Sequence, residues 1–433
     1  MYRNALERLQ QWKEKANRKP LVIKGARQVG KTWLMKEFGR RFYAKTVYIN
    51  FDANTDMAAL FSSITDTHRL IMGLEIYAGQ KITAEDTLLI FDEIQEVPQA
   101  LSSLKYFCEN APQYHIVCAG SLLGIALHSG TSFPVGKVDF LNLYPLSLEE
   151  FADALDEKPL VELLQSRDFS LIKSFKNRYI ELLKLYYFVG GMPEAVAHYA
   201  QFKDVKEVRS IQKRILEAYE QDFSKHAPND MVPKIRMVWN VIPSQLAKEN
   251  RKFLYGLIRE GGRAKDFETA IMWLDDCGLI HKVSRASAVN LPLKAYEDMK
   301  AFKLYLLDVG LLTCMAGIQQ QALLEGSSIL KEFKGALNEQ YVLQQLILNE
   351  GWNIYYYSNE RSTSEIDFLI DDGEKVIPLE VKAEENLRAK SLQAYCRKYS
   401  PKTAVRTSMS DYRKEEWMIN VPLYAIQELA AYI

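Results

Sequence analysis

Leu21-Val22-Ile23-Lys24-Gly25-Ala26-Arg27-Gln28-Val29-Gly30-Lys31-Thr32 decides the fold: an apolar run of strand type enters a glycine-bounded loop and leaves it as the helical run Trp33 to Phe38. The loop Gly25 to Thr32 has the spacing GxxxxGK[ST], in which backbone N–H groups wrap a phosphate and the next helix adds partial positive charge. Close approach to an anion and positive φ are what glycine supplies, which accounts for Gly25 and Gly30. Ala26, Arg27, Gln28 and Val29 complete the cradle. Lys31 is placed to reach the β- and γ-phosphates, and the Thr32 hydroxyl suits a Mg²⁺ ion. The bland alternative, a chance glycine turn, would not fall between a strand and a helix in this order. ATP and ADP, with Mg²⁺, are the expected ligands.

Hydrolysis needs a second handle on the metal and a group to orient water. Leu88-Leu89-Ile90-Phe91-Asp92-Glu93 offers both, because four apolar residues bury a strand and two carboxylates emerge at its C-terminal end, where open α/β sheets bind ligands. Asp92 is assigned to the Mg²⁺ shell and Glu93 to the attacking water. Ile116-Val117-Cys118 leads into Ala119-Gly120-Ser121, so Ser121 is a candidate γ-phosphate sensor, with a helix cap as the competing role.

Around these stretches, apolar runs (LVIKG, TVYINF, TLLIFDE, HIVCAG, DFLNL) alternate with helical ones, the pattern of a parallel sheet covered on both faces. The chain has 433 residues, more than one core usually organises, so several domains are expected. Four segments suggest themselves: a P-loop core over 1–146, a helical bridge or lid over 147–227, a winged-helix-like segment over 228–317, and an α/β domain over 318–433. The third segment places helices before the strands GLIHKVSR and FKLYLLD, which is what suggests a winged helix.

Basic and acidic side chains balance at 55 each, so no overall field steers the molecule to nucleic acid or lipid. Any DNA contact must come from a local patch, such as Arg251, Lys252, Arg259, Arg263 and Lys265. The helix Lys265 to Asp276 that would enter a groove carries one lysine against four acids, which favours packing or regulation over DNA reading. The five cysteines lack zinc spacing, no run is apolar enough to span a membrane, and the opening residues lack a signal-peptide core. A cytoplasmic, membrane-free protein is the expectation, with DNA and a second copy of the chain as candidate partners.

The stretches KGARQVGKTWL, TLLIFDEIQEVP, CAGSLLG, LYPLSLEEF, GGMPEAV and KLYLLDVGLL together resemble the bacterial and archaeal AAA-type ATPases of the additional-strand P-loop group that carry a trailing domain of unknown function. The resemblance implies a P-loop core, a winged-helix-like middle and a C-terminal domain of restriction-endonuclease type.

In that last segment Glu365-Ile366-Asp367 and Glu380-Val381-Lys382 have a spacing similar to the PD-(D/E)xK nuclease pattern. Strand alternation puts Glu380 and Lys382 on one face. Asp367 and Glu380 would then hold Mg²⁺ while Lys382 activates water, and Glu339 would complete the acid set as it does in that superfamily. Two functions follow: a nucleotide-driven switch controlling a nuclease-like domain, or a signalling or scaffold ATPase whose C-terminal domain binds without cutting.

Overall fold

The computed structural model describes residues 1–63, 65–120, 133–248, 252–324, 331–358, 365–383 and 389–433. Two compact units emerge: Tyr2–Tyr144 with Asp276–Gly278, and a second comprising Met1, Pro145–Asp275 and Leu279–Ile433. The three segments expected beyond residue 146 thus fall almost wholly in one unit.

In the first unit five parallel strands, β1 (Leu21–Lys24), β2 (Lys45–Asn50), β3 (Thr87–Asp92), β4 (His115–Ala119) and β5 (Asp139–Asn142), lie in the order β2-β3-β4-β1-β5. β4 therefore stands between the strand that enters the glycine loop and the strand that carries the acids, pairing with β1 at Val22↔Cys118 and with β3 at Asp92↔Ala119. This inserted strand is the one expected of an additional-strand P-loop core.

β3 and β4 are buried along their whole length because helices cover both faces. Helices α1 (Ala5–Glu14) and α2 (Lys31–Phe42) bury Leu9, Leu34, Met35 and Phe38 on one side. On the other, α3 (Thr55–Ser63), α4 (Thr67–Ala78) and α5 (Pro98–Asn110) bring Phe61, Leu70, Leu74, Leu101 and Leu104 onto Val47, Ile49, Leu89 and Phe91.

The second unit is built on an eight-stranded mixed sheet. Its strands are β6 (Ile280–Ala286), β7 (Glu297–Leu306), β8 (Asn353–Ser358), β9 (Glu365–Asp371), β10 (Val376–Val381), β11 (Val405–Ser408), β12 (Arg413–Lys414) and β13 (Ile419–Pro422), in the order β12-β13-β11-β10-β9-β8-β6-β7. The hairpin β6–β7 is antiparallel, as the sequence suggested, and it continues the C-terminal sheet through β6 and β8 at Arg285↔Tyr356.

Three of the quoted motifs meet inside this unit. Gly190 ends the helix Lys176–Val189 at φ 73, a conformation that side chains disfavour. A Cβ there would strike the carboxylate of Asp308, and a Cβ on Gly310 would lie 2.6 Å from Gly190 Cα. Asp308 is fully buried and accepts hydrogen bonds from Gly191 N at 2.6 Å, Leu311 N at 2.9 Å and Gln344 Nε2 at 3.2 Å. Burial pushes its carboxyl up from the usual range, and these donors oppose that shift. Leu146 N in turn donates to Gly191 O at 2.7 Å. GGMPEAV, KLYLLDVGLL and the backbone at Leu146, which opens the stretch LSLEEF, are accordingly one packing knot.

Candidate functional site

The site of the first unit lies at the C-terminal ends of β1 and β3. The loop between β1 and α2 turns through left-handed backbone at Gly25 (φ 153), Gln28 (φ 68) and Gly30 (φ 96), the last of these being the N-cap of α2. At Gly25 a side chain is excluded twice over, since its Cβ would collide with Leu143 O. Arg3, buried under the loop, donates from Nη1 to Val29 O at 3.1 Å and from Nη2 to Tyr144 O at 2.6 Å, fastening the loop to the end of the sheet.

Lys31 leaves the first turn of α2 and folds into the loop, its Nζ donating to Gly25 O at 2.9 Å and Ala26 O at 2.7 Å. Burial holds the ammonium down at about 8; the charges of Glu93 and Asp92 pull the other way, and Arg27 adds to the depression. Arg27 and Gln28 are exposed, whereas Ala26 and Val29 are buried under the turn.

Thr32 Oγ1 donates to Asp92 Oδ2 at 2.7 Å, so the helix start and the acid strand are joined across β4. The same oxygen accepts from Tyr48 OH at 2.9 Å, while Asp92 Oδ1 accepts from Glu93 N at 3.2 Å. Glu93 stands just past the strand in left-handed backbone (φ 50), and Gln95 Nε2 donates to its Oε2 at 2.6 Å. A hydroxyl and a carboxylate, both hard oxygen donors beside a helix N-terminus and a lysine, are the chemistry that suits Mg²⁺ with a polyphosphate. Ser121 lies outside the described residues.

Sequence reasoning passed over Arg3, Tyr48 and Gln95. Gln95 was within reach of a local argument, two residues after Glu93. Arg3 and Tyr48 become visible only once the strand order is known.

In the second unit, Lys382 Nζ lies 2.8 Å from Glu380 Oε1, as strand alternation leads one to expect. Glu380 is 2% exposed, and its other oxygen accepts no hydrogen bond among the described residues. Burial raises its carboxyl above the usual range, Lys382 opposes that, and Asp367 adds to it, which places the two acids in one electrostatic neighbourhood. Asp367 Oδ2 is held by Val381 N at 2.7 Å.

Glu339 has other company. It accepts from Tyr305 OH at 3.0 Å and pairs at 3.5 Å with Lys303, a fully buried ammonium that also pairs with Glu365. A lysine of β7 thus supplies the positive charge beside Glu339. Among the described residues no three His, Cys, Asp or Glu side chains are grouped to hold a metal ion. The expected trio of Glu339, Asp367 and Glu380 is not assembled as one such group. No helix among the described residues is long and apolar enough to cross a membrane.

A parallel sheet with an inserted strand, a glycine loop running into a helix, and an Asp-Glu pair facing that loop together define a P-loop nucleoside triphosphatase core. Residues 17–152, which take in most of the first unit, match the AAA domain family. Residues 180–322 and 334–426 match two domains of unknown function, DUF8612 and DUF4143. Among curated proteins none matches the chain.

Among solved structures, the chain is similar to the Walker-type ATPase PABY2304 of Pyrococcus abyssi, at 15% identity and TM-score 0.45, over 73% of this chain and 95% of that one. It is also similar to Orc1 of Aeropyrum pernix in complex with DNA (12%, TM-score 0.29, 72% and 91%) and to Cdc6p of Pyrobaculum aerophilum (13%, 0.27, 74% and 93%). Similarity at these scores says nothing of activity.

Proposed function

We propose that the first unit binds and hydrolyses ATP, with Mg²⁺ held by Thr32 and Asp92. The 2.7 Å hydrogen bond from Thr32 to Asp92 carries this reading, because it brings the two metal-competent oxygens together across β4. When bound there, the ion neutralises charge on the β- and γ-phosphate oxygens. The chain's own residues do the rest. Loop N–H groups at the start of α2 grip phosphate, Lys31 turns from the carbonyls of Gly25 and Ala26 to the anion, and Glu93, steadied by Gln95, accepts a proton from the attacking water.

The Glu93→Gln variant tests this. It keeps the shape and the contact to Gln95 but cannot take a proton, so ATP binding is expected to persist while turnover falls by about 100- to 1000-fold. Turnover like that of the unaltered protein would remove Glu93 from this role.

The nucleotide state acts as a switch on the C-terminal sheet, which binds a protein or nucleic-acid partner without cutting it. The ion pair of Glu339 with Lys303 favours binding over cleavage, since it neutralises an acid that a nuclease would direct at a metal. For DNA contact, the segment before β6 offers Arg259, Arg263 and Lys265 as exposed residues, whereas Arg285 of β6 is tied to Asp298 at 2.6 Å. Incubating the purified chain with Mg²⁺ and plasmid, single-stranded DNA or RNA should leave all three intact. Cleavage that disappears in both Lys382→Ala and Asp367→Ala would restore the nuclease reading.

A further inference from the structure

We propose that Tyr48 is a positioning residue for the metal site, its phenol fixing the carboxylate of Asp92 so that one oxygen is kept for the Mg²⁺ shell. This rests on the assignment of Asp92 to that shell. β2 and β3 run parallel with Tyr48 opposite Ile90 and Asn50 opposite Asp92, so Tyr48 sits two residues behind Asp92 on the neighbouring strand. Strand alternation turns both toward the same face, and two residues of rise, roughly 6.6 Å, match the reach of a tyrosine side chain. Its hydroxyl arrives at Asp92 Oδ2 at 2.9 Å, beside the 2.7 Å bond from Thr32. Two hydroxyl donors on one oxygen of a buried carboxylate set its rotation. Among the described residues Oδ1 accepts only from Glu93 N at 3.2 Å, the longest of the three bonds, and is thereby the oxygen left for the ion.

The ring is itself anchored, because Lys36 Nζ of α2 lies 3.8 Å from its centroid. The phenol thus links the helix that begins at the phosphate loop to the strand that bears the acid. Partners that orient a metal-binding carboxylate typically change metal affinity by about 10- to 100-fold when removed.

The test is the Mg²⁺ dependence of ATP turnover by the full chain, with ATP binding measured in excess chelator alongside it. For Tyr48→Phe, chelator-phase ATP binding should match the unaltered protein, the half-saturating Mg²⁺ concentration should rise about tenfold, and turnover at saturating Mg²⁺ should recover to within about twofold. Lys36→Met removes the cation over the ring and leaves the hydroxyl, so its Mg²⁺ requirement should not move. An unchanged requirement in Tyr48→Phe, with a raised one in Asp92→Asn, overturns the role of Tyr48 and leaves the metal site standing. An unchanged requirement in Asp92→Asn overturns both. An equal shift in Lys36→Met and Tyr48→Phe would assign the effect to ring packing and overturn the role of the hydroxyl.

Discussion

Replacing Lys31 with alanine is expected to weaken ATP binding at least about a hundredfold, because two or more charge-assisted hydrogen bonds to phosphate, each of about 1.5–3 kcal/mol, would be lost together. The variant should fold normally, since the hydrogen bonds Lys31 donates within the chain go to two loop carbonyls, Gly25 O and Ala26 O. Its buried ammonium also predicts a pH effect. The folded protein holds Lys31 at about 8, so the cation is present below that pH and is lost as pH rises through it. ATP affinity should therefore decline above about pH 8 in the unaltered chain and show no such step in Lys31→Ala. Binding by titration calorimetry across pH 6.5–9 measures both on an about evenly spaced series. Full affinity in the alanine variant would remove the loop from nucleotide binding.

The second large effect is structural. Gly190→Ala should cost about 3 kcal/mol or more, combining a strained positive φ with overpacking against Asp308. Gly317 has a similar φ of 69 and open space around its missing Cβ, so Gly317→Ala should cost only about 1 kcal/mol. Thermal melting of the two variants side by side checks this, and equal losses would show that the collision with Asp308 contributes nothing.

What the sequence disclosed follows a physical division. The phosphate loop was legible because its residues are contiguous, and their spacing states a backbone shape that few other segments adopt. The acid pair Asp92-Glu93 was legible for the same reason, as was the pairing of Glu380 with Lys382, where period-two alternation suffices. Tyr48 was invisible because its partner depends on which strands are neighbours, a long-range fact with no local trace.

Glu339 shows the same limit in reverse. Its helix and its acidity fitted the nuclease pattern, yet its charge is met by Lys303, which lies in a strand assigned by sequence to a different segment. GGMPEAV and KLYLLDVGLL entered as stretches that carry the family resemblance, and in the fold they are the two halves of a packing contact built on glycine and a buried aspartate.

The ammonium of Lys303 has no access to water and two glutamates from beyond residue 330 for company. A distal sheet that covered the same ammonium without those carboxylates would leave the charge buried and unpaired, at a heavy desolvation cost. The hairpin and the distal sheet are therefore heritable only as a pair, and recombination that exchanged one without the other would yield a chain unable to settle.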